Sequence, residues 1–154
     1  MDREISFRGK RTDNGEWVEG IPIKTHIGVF MCFDKNPHYC SQYGYMEIDD
    51  VIKIMPETLC QYTGLTDKNG QKIWENDICR THYANAKKNK FIETIVFEGG
   101  RFCAYQNKHG CKSWAGIYNG TKHLSVDKSV YMDSIEAIGN VFDNPELLEG
   151  DDDA

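Results

Sequence analysis

Two phrases constrain the fold of this chain more than any others: "TDNGEW" at 12–17 and "TDKNGQKIWEND" at 66–77. Each sets an Asn-Gly pair between apolar, β-branched or aromatic residues. Such a pair reaches positive φ at little cost, so it marks a tight hairpin, as a type I′ turn or as a type I turn with a glycine bulge. "FEGGRF" at 97–102 joins two further apolar runs through Gly99 and Gly100. Apolar spacing of the helical kind is nearly absent, and short strand-like runs recur instead.

These runs predict strands at 4–8, 16–23, 27–33, 50–55, 59–62, 73–82, 91–97, 101–106, 129–132 and 135–142. The stretches 34–45 and 107–123 read as long loops, and "THYANAKKNK" at 81–90 as the basic tip of a hairpin. One helical turn is expected, in "DNPELLEG": Asn144 can cap, Pro145 fits the first helical position and Glu146 suits the positive end. At 154 residues with 40% hydrophobic content, the chain can bury a core. We expect one β domain over 1–150, divisible into an N-terminal β subdomain, 1–55, and a barrel, 56–150, followed by an acidic tail, 151–154.

The two Asn-Gly phrases invite a reading as an internal duplication. Their flanks argue otherwise, since "ISFRGKR" before the first shares little with "LCQYTGL" before the second. A reused hairpin type, ending in a bend at Gly20 or Asn76, explains both more simply.

Charge is uneven. The net charge is -6, yet 80–128 carries nine Lys or Arg against three Asp or Glu, leaving -12 for the remainder. The overall acidity opposes a protein that coats DNA, while the basic middle permits a local nucleic-acid face. No apolar run reaches the ~20 residues of a membrane helix, and "MDREISFRGK" has no apolar signal region. A cytoplasmic protein with reduced thiols is the expectation.

Cys32, His38 and Cys40, and again Cys103, His109 and Cys111, fit C-x3-N-x-H-x-C, and thiols with imidazole are what zinc prefers. Neither set has the close cysteine knuckle of structural zinc sites, and both cysteines that open the sets lie in strand-like runs. We expect neither metal nor cofactor. No Walker loop, nucleophile elbow, HExxH or dinucleotide fingerprint occurs, so no catalytic residue is assigned and enzymatic activity is not expected.

The stretch "PETLCQYTGLTDKNGQKIWENDICR" resembles the YopX family of small phage and prophage proteins. The resemblance rests on Pro56, Glu57, Thr58, Gln61, Tyr62, Thr63, Gly64, Leu65, Asp67, Lys68, Asn69, Gly70, Ile73, Trp74, Glu75, Asp77 and Ile78. "REISFRGKRTDNGEWVEG" and "IEAIGNVFDNPELL" look like the family's terminal phrases, so the likeness spans nearly the whole chain. Asn76 stands where the family usually has Gly, and Asn tolerates positive φ. The resemblance implies a mainly β fold and a phage or prophage context; it supplies no catalytic residues. Together with the turn signals it leads us to expect an SH3-like, partly closed barrel with added N-terminal strands and a short C-terminal helical turn. In this reading the polar motif residues serve turns.

Two functions follow. The first is a non-enzymatic accessory protein that binds another macromolecule, foremost an unidentified protein, with self-association open. Tyr39, Tyr43, Tyr45, Trp114 and Tyr118 in loops would suit such an interface. The alternative is a single-stranded nucleic-acid binder, with Lys87, Lys88, Lys90, Arg101, Lys108 and Lys112 along a groove and Tyr83 and Tyr105 as stacking platforms.

Overall fold

A computed structural model of the chain describes residues 4–33, 38–40, 42–47, 50–84, 90–105, 123–124 and 131–149. The mainly β expectation holds. Thirteen strands are described: β1 (Phe7–Lys10), β2 (Trp17–Thr25), β3 (Gly28–Cys32), β4 (His38–Cys40), β5 (Tyr45–Glu47), β6 (Val51–Ile54), β7 (Cys60–Thr66), β8 (Lys72–Trp74), β9 (Asp77–Ala84), β10 (Lys90–Glu98), β11 (Arg101–Tyr105), β12 (His123–Leu124) and β13 (Tyr131–Asn140). Among the described residues the helical content is 3₁₀ turns, at Pro56–Thr58 and Pro145–Leu148. The chain divides into two compact units, Met1–Gln61 and Tyr62–Ala154.

The first unit orders its strands β6-β3-β2-β1, with the start of β7 beside β1, all antiparallel. An Arg11–Ile54 bridge ties the end of β1 to the end of β6, with hydrogen bonds from Met55 N to the Lys10 carbonyl and from Thr12 N to the Lys53 carbonyl. That tie curls the sheet, yet among the described residues no barrel closes. Inside the curl lie Val29, Met31 and Ile54, packed by Phe7, Val18, Phe33 and Leu59. Gly20 permits the curl: a Cβ there would collide with the Cys32 carbonyl oxygen. Strands β4 and β5 form a separate hairpin, with β4 inside the stretch 34–45 expected to be loop and β5 starting at its last residue.

In the second unit the end of β7 pairs with β8, and a five-stranded antiparallel sheet runs β11-β10-β9-β13-β12. Among the described residues the partly closed barrel expected over 56–150 is an open sheet, with β13 between β9 and β12 and β11 at an edge. Its inner face buries Ile73, Cys79, Ile95, Phe102, Ala104 and Ile135. The expected strand 73–82 is broken after Trp74: Asn76 adopts a φ of 65° and the Asp77 carboxylate accepts the Trp74 N–H at 2.8 Å. Conversely, the expected strands 129–132 and 135–142 are one strand, β13, carrying two register shifts. At the C-terminal turn Asn144 makes no capping bond; its side-chain oxygen accepts the Asn140 N–H at 3.3 Å instead.

Candidate functional site

Period-two alternation gives each sheet an inner and an outer face. In the first unit the register places Ile21, Cys32 and Val51 side by side across β2, β3 and β6, and Ile23, Phe30 and Lys53 in the next row. Both rows face away from Val29, Met31 and Ile54. Ile21 is 53% exposed and Val51 39%, while Ile23, Phe30 and Cys32 are half-buried. Five apolar side chains thus form a contiguous outer patch. The same face of β1 and β2 carries Trp17 with the Arg8 guanidinium 4.6 Å and the Lys10 ammonium 5.6 Å from its ring centroid. Exposed Glu19 and Lys53 complete the rim, which is net positive.

The outer face of the second unit is charged. Register aligns Lys90, His82 and Ser134 in one row and Ile92, Arg80 and Glu136 in the next, across β10, β9 and β13. With Lys68 and Thr81 the polar members line a groove of about 220 Å³. Glu136 accepts from Lys68 at 2.8 Å and from Arg80 at 3.3 Å through the same oxygen. The Lys68 hydrogen bond, with Arg80 behind it, holds the Glu136 carboxyl below its ordinary value.

The residues expected to bind nucleic acid are only partly gathered. Lys90, Tyr105 and Arg101 fall on one face, opposite His82, Thr94 and Glu98 respectively. Lys90 and Arg101 are separated by the length of β10, about 26 Å at the rise of a strand. Lys87, Lys88, Lys108 and Lys112 lie outside the described residues, as do the side chain of Tyr83 and the whole of Trp114 and Tyr118. Of the loop aromatics, Tyr43 is exposed in the β4–β5 turn; the Tyr39 and Tyr45 side chains fall outside the description. Sequence reasoning missed Lys68, Arg80, His82, Ser134 and Glu136 as a group. Their alternation within β9 and β13 is visible in the sequence, but the pairing of those strands across more than 50 positions is not.

The motif residues divide between turns and strands. Asp67 is 6% exposed, and one carboxylate oxygen accepts from Asn69 N at 2.8 Å and Gln71 N at 2.9 Å while the other accepts from Ala137 N at 3.2 Å. Gly70, at φ 80°, completes the turn, and Asn69 is not left-handed, so this is the type I turn with glycine bulge rather than the I′ form. Gly99 and Gly100 are both left-handed, as a two-residue I′ hairpin requires. Thr63 donates to the Ile73 carbonyl at 2.7 Å. Gly64 is left-handed, at φ 86°. Gln61 pairs with Phe7 in β1. Tyr62 and Trp74 are buried with ring centroids 5.4 Å apart, and the Lys72 ammonium lies 5.2 Å and 5.6 Å from the two rings. Glu75 sits half-buried in the bend between β8 and β9.

No group of three His, Cys, Asp or Glu is arranged for a metal among the described residues. Cys32 and Cys103 lie in β3 and β11; the His38 and Cys40 side chains, His109 and Cys111 are outside the description. Burial, with Asp77, Glu93 and Asp67 nearby, pushes the Cys79 thiol far up, which makes it a poor nucleophile. Among the described residues no helix is long and apolar enough to cross a membrane.

The family model for the YopX protein matches residues 6–149. The chain belongs to the YopX family. The expectation raised by the 56–80 phrase therefore extends over nearly the whole molecule. A solved structure, protein EF1440 from Enterococcus faecalis, is similar in fold: 24% identity, a TM-score of 0.57, and coverage of 96% of this chain and 99% of that one. No functionally curated protein matches the chain.

Proposed function

We propose that this YopX-family chain is a non-enzymatic accessory protein of a phage or prophage that binds a partner protein through the outer face of its first unit. The observation that carries this reading is the pair of apolar cross-strand rows, with Ile21 and Val51 left substantially exposed. Apolar side chains gathered on a rigid sheet favour association, and a polar rim sets specificity. The rim of Arg8, Lys10 and Lys53 against Glu19 suits apolar side chains flanked by carboxylates.

The test is affinity capture from cells in which the phage or prophage is active. Baits are the wild-type chain, an Ile21→Asp/Val51→Asp double variant, and Phe97→Ser, a change at an exposed residue of the second unit. A partner held by the wild type and by Phe97→Ser but lost from the double variant is the expected result. Equal capture by the double variant, or no specific capture, overturns the proposal. A concentration-dependent doubling of mass that the double variant abolishes names a second copy as the occupant.

A second reading, single-stranded nucleic-acid binding, is favoured by the common face of Lys90, Tyr105 and Arg101. Phosphate contacts must weaken steeply with salt. A fluorescent oligonucleotide titrated at low salt decides, and no binding at tens of micromolar protein removes this reading.

A further inference from the structure

The groove on the outer face of the second unit is lined by donors: the ammonium groups of Lys68 and Lys90, the guanidinium of Arg80, the His82 imidazole and the Ser134 hydroxyl. Glu136 is the one carboxylate among its described lining residues. Leaving His82 aside, three positive charges stand against one negative among the described lining residues, a balance of +2. The geometry points to a binding site for a single phosphate group, free or as a monoester, carrying up to two negative charges.

Three features support this. Glu136 contacts Lys68 and Arg80 through one oxygen, which holds both cations along the groove while most of their N–H donors have no other partner among the described residues. Lys90 makes no ion pair among the described residues, so its charge is uncompensated there. The neighbouring strands place Lys90, His82 and Ser134 in one row at spacings of about 5 Å, close enough for several oxygens of one tetrahedral anion. Size narrows the ligand further. At about 220 Å³ the groove is below the ~300–1,000 Å³ of drug-sized pockets, so it takes a phosphate head rather than a stacked nucleoside.

The site differs from both functional readings above. It lies on the second unit rather than on the apolar patch, and it needs one phosphate, not a strand. The test is an amide-resolved NMR titration of the full chain in low-chloride buffer. The probes are inorganic phosphate, acetate at matched ionic strength, and a short oligothymidylate without terminal phosphates.

Saturable shifts at 80–82, 90 and 134–136 with phosphate and not with acetate are expected. Lys90→Met and Arg80→Met should each weaken phosphate binding by about tenfold, the usual effect of deleting one charged hydrogen-bond donor. Glu136→Gln, which removes a competing carboxylate, should tighten it severalfold. Retained spectral dispersion in the exposed Lys90→Met variant separates lost binding from lost fold. The proposal is overturned by no saturable shift at tens of millimolar phosphate, or by an equal response to acetate. Localised shifts with oligothymidylate alone also overturn it and shift weight to the strand-binding reading.

Discussion

The first unit builds its interior from Val29, Met31 and Ile54, and its outer face shows Ile21 and Val51. The second unit buries Asp67, Asp77, Glu93 and Thr81 beside Ile73, Ile78 and Ile95, and its outer face carries Lys68, Arg80, Lys90 and Glu136. One unit buries no carboxylate among the described residues and is partly apolar without. The other takes carboxylates into its interior and leaves cations outside. The difference traces to how each makes its bends. Gly20 lets two backbones of the first unit approach, which needs no polar side chain. Asp67 and Asp77 hold the bends of the second by gathering backbone N–H groups, and a buried carboxylate is tolerable only with such donors. Glu93, 1% exposed, accepts from the fully buried Thr81 hydroxyl in the same manner.

Core truncation should give the largest effects. Ile95→Ala and Ile54→Ala, both at fully buried positions, should each cost about 2–5 kcal/mol. Urea midpoints and native-state hydrogen exchange measure this, with the greatest loss of protection in the unit mutated. If Ile54→Ala raises exchange mainly in the second unit, the division of the chain at Gln61 is energetically empty.

The repeated phrase supplies a sharper contrast. Asp67→Ala removes the acceptor of three backbone N–H groups and should cost about 2–4 kcal/mol. Asp13, in the first copy, faces solvent and pairs with Arg11 at 2.6 Å. Asp13→Ala should leave the thermal midpoint unchanged, because exposed ion pairs contribute little. Equal losses at the two positions would restore the view that the copies do the same work.

At the bends, Gly20→Ala should destabilise by about 1–3 kcal/mol through its collision with the Cys32 carbonyl. Asn76→Ala should cost about 1 kcal/mol through left-handed strain. Chemical denaturation measures both, and a neutral Gly20→Ala would show that the curl of the first sheet can relax.

The smallest effect concerns acid. Glu136 is held below its ordinary carboxyl value of 4.5, so the folded state binds fewer protons there than the unfolded state. Its stabilisation is present above that value and is lost as pH falls through the lowered one. Glu136→Gln should flatten that part of the stability-pH curve, and an unchanged slope would mean that Lys68 and Arg80 do not hold it in solution.

Local chemistry was legible in the sequence because it is written within a few residues. The Asn-Gly and Gly-Gly turns, the bend at Asn76, the alternation of β3 and the turn role of Asp67 all depend on near neighbours. Pairing over distance was not legible. Nothing near Tyr131 says that β13 lies against β9, so neither the open sheet nor the meeting of Arg80 with Glu136 could be read. Lys90 was identified as cationic from the basic segment, while its neighbours in the groove come from 68, 80–82 and 134–136. β4 and β5 were missed for another reason: three residues each is too short for a period to register.

The place of β13 has a consequence for synthesis. Every described strand partner of β1, β2, β3 and β6 lies within the first 61 residues, so that unit can acquire its pairing while the rest of the chain is still being made. The second unit must wait. Its Asp67 carboxylate accepts from Ala137, 70 residues later, and β9 lacks one neighbour until Tyr131–Asn140 has emerged. Contacts at such separation form slowly. Ribosome-bound chains halted once residue 100 has left the exit tunnel should therefore be protease-resistant up to about residue 61 and cleavable over 62–100; resistance through 62–100 would contradict this order.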